Sequence, residues 1–421
     1  MTRRLLTGNA AAAWGARLAR ADYIPAFPIT PQTEIIETLS RWIDTGEMEA
    51  RMITMDSEHS MITAAGAASV TGVRVFTATS SQGLLYAMEM LYNTAGWRAP
   101  YVLVNVSRAL AAPVTLEPDH NDVLAARDSG FLQIHCATCQ EVLDGTLMAF
   151  AVAEDPRVRL PVLVNLDGFY LSFTREPVDI PTAEEVDRFL PSFDPGPIRF
   201  RASSPLSLAV AVLGGSSYSY FRYELHMANT NGVAVYEEVA DRFADVFTRR
   251  PQVLETYRSD DAEIVFVMMG SFATKARDAV DRLREAGRPV GLVRPRLVRP
   301  LPVDHLRRAL AGKRGVAVVD QNLSPGMGGV LHAELAHVLY GFKEAPPILA
   351  SFIGGLGGRD ITVEEFYEMA QITCHAADTG VTPPPRLLYT RGELDEIRRL
   401  QAIAHVERAT AGPPREQEGS Q

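Results

Sequence analysis

The sequence predicts an α/β protein built on mainly parallel sheets, and two observations predict it. Short apolar runs of strand length alternate with stretches whose apolar residues recur at helical spacing. The alternation lapses in a proline-rich stretch and begins again at Ile264, so the 421 residues divide into two α/β units. Sheets of this kind carry their loops, and any ligand, at the carboxyl ends of the strands.

The first unit covers residues 1–180. Its strands are read at 23–27, 73–78, 101–106 and 162–166, with helices at 33–42 and 84–94. From Val178 to about Asp260 the pattern loosens. Pro181, Pro191, Pro195, Pro197 and Pro205 break regular structure, and Gly214-Gly215-Ser216-Ser217 follows. Residues 181–260 are therefore read as a connecting arm with one helix at 235–247. The second unit, 261–400, opens with a strand at 264–269. A helix at 273–286 and strands at 290–293 and 315–320 follow. Residues 401–421, rich at their end in Gly, Pro, Gln, Glu and Ser, are expected to form a flexible tail.

Composition narrows the function classes. Hydrophobic residues make up 47% and charged residues 22%, as in a globular chain. A net charge of −10 with no basic patch argues against a nucleic-acid binder. No run of 18 apolar residues exists, so no membrane span is expected. Asn9, Arg17 and Arg20 interrupt the Ala-rich start, which speaks against a cleaved secretion signal and for a cytoplasmic location. Cys136 and Cys139 form a lone C-x-x-C, two of the four ligands that zinc wants, and are read as small buried residues near a helix start. The chain has no four-cysteine iron–sulfur signature of its own.

Four segments at strand ends combine unusual residues. In Phe27-Pro28-Ile29-Thr30-Pro31 two prolines bracket a threonine, fixing the backbone and presenting a hydroxyl, although an N-cap and turn would read the same way. Asp56-Ser57-Glu58 leads into the small-residue run 64–68, so its acid is either a helix-dipole partner or a carboxylate in a partly dry site. Thr79-Ser80-Ser81-Gln82-Gly83 is a turn dense in hydrogen-bonding groups, able to cap a helix or line a polar ligand. Arg108, just past an apolar strand in Ser107-Arg108, is placed either to grip a carboxylate in bidentate fashion or to form a surface ion pair.

Together these segments resemble the α subunit of the pyruvate and related 2-oxoacid:ferredoxin oxidoreductases. Gly8-Asn9-Ala10-Ala11, Asp119-His120-Asn121-Asp122-Val123, Leu166-Asp167-Gly168-Phe169 and the run from Gly354 to Thr362 add to the likeness, which extends from about Gly8 to Phe366. The resemblance implies a pyrimidine-type thiamine-diphosphate domain followed by a transketolase C-terminal-like α/β domain. It implies that Glu58 hydrogen-bonds N1′ of the cofactor's aminopyrimidine, favouring its imino tautomer. Pro28, Ile29, Ser81 and Gln82 are the matching cofactor contacts. Arg108 matches the clamp on the substrate carboxylate, and Thr30 matches the hydroxyl beside it. The activity implied is CoA-acylating oxidative decarboxylation of a 2-oxoacid.

The missing pieces imply partners. The family's G-D-G…N motif for diphosphate and metal is absent, so a β-type subunit is expected to hold Mg²⁺ and to share the thiamine diphosphate. Gamma-type and iron–sulfur subunits are expected to carry the 4Fe–4S clusters. This chain is expected to contribute no metal ligand. After Asp167-Gly168-Phe169 the family's pyruvate enzymes tend to reach a His, whereas Tyr170 to Thr174 follow here. Tyr170 and Phe173 suit an apolar or aromatic substrate side chain, so phenylglyoxylate stands beside pyruvate, with core packing as the other reading of both residues. No second cation for a dicarboxylate accompanies Arg108.

Two further readings compete. A catalytically silent scaffold subunit is opposed by the joint presence of Glu58, Thr30 and Arg108. A dinucleotide enzyme is opposed by the glycine loop from Ser324 to Gly329, which lacks the fingerprint spacing and is read as packing or subunit contact. His120 is read as a helix cap near the site.

Overall fold

The computed structural model describes residues 1–196 and 200–410; Pro197 of the arm and residues 411–421 of the expected tail lie outside the described residues. It has the α/β architecture with mainly parallel sheets. Among the described residues no helix is long and apolar enough to cross a membrane.

Central strands of a parallel sheet are covered on both faces, and so read as continuous apolar runs. Val102–Ser107 and Val162–Asp167 are such strands, buried throughout and paired in parallel. Phe76–Thr79 flanks the first and Leu132–His135 flanks the second, both parallel. Tyr23–Ala26 extends the same direction through a bridge from Tyr23 to Val75, and pairs in parallel with Arg51–Thr54. All these strands end toward one edge. A separate antiparallel pair, Thr2–Thr7 with Arg175–Ile180, joins the two ends of the first unit.

Several elements went unread in the sequence for a physical reason. The helices Gly8–Leu18 and Cys139–Glu154 leave no residue fully exposed, so they lack the polar face that marks a helix period. Cys136 and Cys139 are buried at the start of the second of these, as small core residues. The helix expected at 84–94 is instead two, Ser81–Tyr86 and Met88–Gly96, parted at Ala87 where ψ is 2°. The arm helix is far longer than 235–247. It runs from Gly215–Phe247, 33 residues or about 50 Å. Its first turns leave Tyr218, Tyr220, Phe221 and Tyr223 exposed, so no buried stripe announces them.

The second sheet orders its strands Arg386–Leu387, Leu349–Ile353, Gly315–Asp320, Ile264–Met268, Val290–Pro295 and Leu254–Tyr257, with only the last antiparallel. The helix Arg391–Thr410 occupies ground expected to be tail, because strong helix formers persist to that point and the Gly/Pro bias begins only after it. Arg359 anchors its first turn through Glu393 and pairs with Glu365 as well.

A strand and an ion cluster are among the ties between the two units. Leu297–Arg299, which falls inside the 261–400 unit, leaves the second sheet and pairs antiparallel with Leu132–His135 of the first. Close by, the guanidinium of Arg294 is fully buried and donates to Glu141 at 2.6 Å and to Glu255 at 2.9 Å. Arg296 donates to the same Glu141 oxygen at 2.6 Å. Burial alone would push the Glu141 carboxyl up, but the charges of Arg296 and Arg294 outweigh it and hold it down at about 2.

Candidate active site

Three strand exits bring the sequence-predicted residues to one edge of the first sheet. Beyond Tyr23–Ala26 the chain makes the turn 27–32. Gln32 pins it by donating to the Phe27 carbonyl at 2.9 Å, and Asn9 donates to the Pro31 carbonyl at 2.9 Å. Pro28 and Thr30 are exposed on this turn, with Ile29 half-buried between them. Beyond Val102–Ser107 comes Arg108, whose Nη1 donates to the Thr30 carbonyl at 2.8 Å. Its Nη2 donates to Gln82 Oε1 at 2.7 Å, and Gln82 lies just past Phe76–Thr79. The Ser81 hydroxyl sits between Gln82 Oε1, at 2.7 Å, and the Ala109 carbonyl, at 3.0 Å.

Thr30 and Arg108 therefore meet as expected, but through the threonine's backbone carbonyl. The Thr30 hydroxyl has no partner among the described residues. A guanidinium carries five N–H donors, and two are spent here, so Arg108 keeps donors for an incoming carboxylate. Burial lowers its affinity for the proton, which Asp122 partly offsets. It stays charged all the same.

Glu58 is the first residue of the helix Glu58–Ser69, where the N-terminal dipole favours a carboxylate. Ser57 caps this helix by accepting from the Ser60 N–H at 3.2 Å. The carboxylate is 5% exposed and packs on Gly83. A Cβ at Gly83 would stand 2.4 Å from Glu58 Oε1 and 2.7 Å from Thr79 Oγ1, so only glycine allows this approach. The hydroxyls of Thr79 and Ser80 are buried without a hydrogen-bond partner. Orphaned buried hydroxyls are costly and call for a partner. Gly83→Ala is expected to displace Glu58 by a sizeable fraction of an ångström and to lower turnover about 100-fold. Steady-state rates of the variant in its assembled complex check this.

Sequence reading missed the residue that organises the loops from behind. Asp122 is fully buried and accepts from the backbone N–H groups of Ser81 at 3.0 Å, Arg108 at 3.2 Å and Val123 at 2.7 Å. Asn105 Nδ2 at 3.1 Å and the Ser107 hydroxyl at 2.6 Å complete its shell. A signal was available: Asn105 and Ser107 are polar residues inside an otherwise apolar buried strand, and such groups require partners.

His120 precedes the short helix Asn121–Ala125, but its side chain makes no cap. It pairs instead with Asp167, Nε2 to Oδ1 at 2.8 Å, both groups buried. Burial opposes charge on both, yet Asp167 raises the imidazole's pKa and His120 lowers the carboxyl's. Asp167 also accepts from the Ser271 N–H at 2.7 Å and hydroxyl at 2.6 Å, across the junction of the two units. The ring of His135 stands edge-on to His120 at 5.5 Å; burial, with His120 beside it, pushes His135 down to about 3 and keeps it neutral.

Tyr170 and Phe173 make their contacts with other residues than the clamp. The Tyr170 hydroxyl donates to the Gly358 carbonyl at 2.6 Å and its ring lies 5.0 Å from Phe272, which makes it a junction residue. Phe173 packs on Phe169 at 5.2 Å and is otherwise exposed. Among the described residues no hydrogen bond or ring contact joins either to Arg108 or Glu58. The glycine loop 324–329 leads into the helix Val330–Leu339, whose first N–H groups are taken internally. Val330 donates to Asn322 at 3.1 Å, Leu331 to Asp320 at 2.7 Å and His332 to Asp320 at 3.2 Å. A phosphate would find no free donor in that turn.

Residues 14–241 match the family model described as "Pyruvate flavodoxin/ferredoxin oxidoreductase, thiamine diP-bdg". Residues 262–366 match "Pyruvate:ferredoxin oxidoreductase core domain II". The pyruvate synthase subunit PorA of Methanothermobacter thermautotrophicus is 41% identical over 89% of this chain and 96% of its own length. The ketoisovalerate oxidoreductase subunit VorA of Pyrococcus furiosus is 41% identical over 90% of this chain and 95% of its own. Among solved structures, the 2-oxoglutarate:ferredoxin oxidoreductase from Magnetococcus marinus superposes with a TM-score of 0.68 at 20% identity, a likeness of fold. The match covers 88% of this chain and 65% of that one, so this chain spans just under two thirds of its length.

Proposed function

Because this chain belongs to the α subunits of the 2-oxoacid:ferredoxin oxidoreductases, we propose that it supplies the pyrimidine side of a shared thiamine-diphosphate site and the clamp for a 2-oxoacid carboxylate. One observation carries the reading. Arg108, Gln82 and Thr30, from three strand exits, are hydrogen-bonded together at one edge, and Gly83, the residue after Gln82, lies against the buried carboxylate of Glu58.

The residues fit the cofactor. Glu58 would hold N1′ of the aminopyrimidine, and the unpartnered hydroxyls of Thr79 and Ser80 would serve as donors or acceptors to its polar atoms. Ser81 and Gln82 would border it from one strand exit, Pro28 and Ile29 from another. Thiamine diphosphate, when bound, supplies the electron sink for loss of carbon dioxide from the oxoacid. Glu58 keeps a proton at the pyrimidine nitrogen, Arg108 orients the departing carboxylate, and the Thr30 hydroxyl stands ready beside it. The β-type partner holds Mg²⁺ and the diphosphate, and gamma-type and iron–sulfur partners take the electrons through 4Fe–4S clusters. Coenzyme A receives the acyl group.

The substrate class is a monocarboxylic 2-oxoacid with an apolar side chain, pyruvate first. A lone guanidinium satisfies one carboxylate and leaves a second without a counter-charge. Phenylglyoxylate stays within reach if Phe173, exposed beside Phe169, faces the substrate. Anaerobic dye reduction by the assembled complex, across pyruvate, 3-methyl-2-oxobutanoate, phenylglyoxylate and 2-oxoglutarate, tests this. Turnover should need coenzyme A and favour the monocarboxylates; a preference for 2-oxoglutarate would overturn the assignment. Arg108→Met should raise the KM for the oxoacid roughly 10- to 100-fold, the cost of one lost charge-assisted contact. Full activity without Arg108 or Glu58 would favour the silent-scaffold reading.

A further inference from the structure

We infer that Asp122 is a positioning residue for this reaction, which sets the direction of Arg108 and Gln82 by holding the backbone of both their loops with one carboxylate. This rests on the reading of Arg108 as the carboxylate clamp. Oδ2 accepts the N–H of Ser81, the N–H of Arg108 and the amide of Asn105, while Oδ1 takes the Ser107 hydroxyl and its own neighbour's N–H at Val123. Two loops from two different strands are thus bound to a single group.

The same two loops are joined a second time on the ligand side, where Arg108 donates to Gln82. Fastened at both ends, the pair has little freedom left. Ser81 needs such a hold for another reason. Its φ is +50°, a left-handed conformation that an L-residue adopts only when its surroundings over-determine it. Its N–H goes to Asp122 and its hydroxyl to the region between Gln82 and Ala109, which fixes both sides of the strained residue. Asn105 is itself held by Asn165 at 2.9 Å, so the carboxylate is anchored to two central strands. Asp122 touches no ligand-facing atom. It acts through the two residues that do.

A contact of this kind is separable from ordinary structural support by its coupling. In Asp122→Asn the amide oxygen can still serve Ser81, Asn105 and Arg108, but the amide nitrogen turns its N–H toward that of Val123, so the shell shifts without being emptied. In the assembled complex this variant should raise the KM for the 2-oxoacid about 10-fold and change kcat less than about 3-fold. The double variant Asp122→Asn/Arg108→Met should be no worse than Arg108→Met alone, because the second change removes what the first misplaces. Additive effects, or a loss confined to assembly and thermal stability, would overturn the inference. Should Asp122→Asn fail to assemble, Asn105→Ser, which removes one donor to the same oxygen, is expected to give a smaller KM rise with the same non-additivity; an unaltered KM counts against the proposal. If Arg108→Met by itself leaves KM unchanged, the clamp reading fails and takes this one with it.

Discussion

Glu58→Gln is expected to lower the turnover of the assembled complex by roughly 100- to 10,000-fold, the usual share of a positioned proton-handling group, and to leave assembly intact. The argument is steric as much as chemical. Gln has the shape of Glu, so it occupies the same cramped position against Gly83, where a single added carbon would come within 2.4 Å. Packing and the helix start at Ser57 are kept. What is lost is the capacity to stabilise a proton on a ring nitrogen, and replacing a buried charge by an amide does not by itself weaken the fold. Anaerobic dye-reduction rates together with thermal melts check both halves. A variant that turns over at the parental rate removes Glu58 from the mechanism.

Glu141→Gln is expected to act on stability instead, costing about 3–5 kcal/mol, the scale for breaking one partner out of a buried ion cluster. Arg296 then has no carboxylate, and the fully buried Arg294 is left with Glu255 alone. Urea unfolding at pH 7 reads the loss. The pH dependence adds a sign. Glu141 is held down at about 2 in the folded chain, below its unfolded value of about 4.3. Its contribution is therefore complete above pH ~4.3 and lost as pH falls toward 2. The variant should be weaker at neutral pH and show a flatter acid limb over that window.

What was legible in the sequence follows from what burial does to residue choice. Val102–Ser107 and Val162–Asp167 are buried on both faces, and their apolar runs announced them. Arg108 stood out just past one such run, and Glu58, Ser81 and Gln82 were joined to it by the resemblance of their segments to the family's. Contacts to the backbone were not legible. The Thr30 carbonyl that takes Arg108, and the N–H groups gathered by Asp122, belong to every residue type and leave no mark on the sequence. Nor was His120 readable as the partner of Asp167, because Asp167 and Ser271 lie 47 and 151 positions further along the chain and the fold alone brings them together.

The strand Leu297–Arg299 bears on how such a chain can change by descent. Family models divide the sequence into separate stretches, 14–241 and 262–366, as though the halves were interchangeable parts. Yet the later half lends the earlier one an edge, covering hydrogen-bonding groups of Leu132–His135 that would otherwise invite another chain. A crossover between relatives near residue 250 would pair a borrowed strand with an unfamiliar neighbour, and set Arg294 and Arg296 against a Glu141 they did not evolve beside.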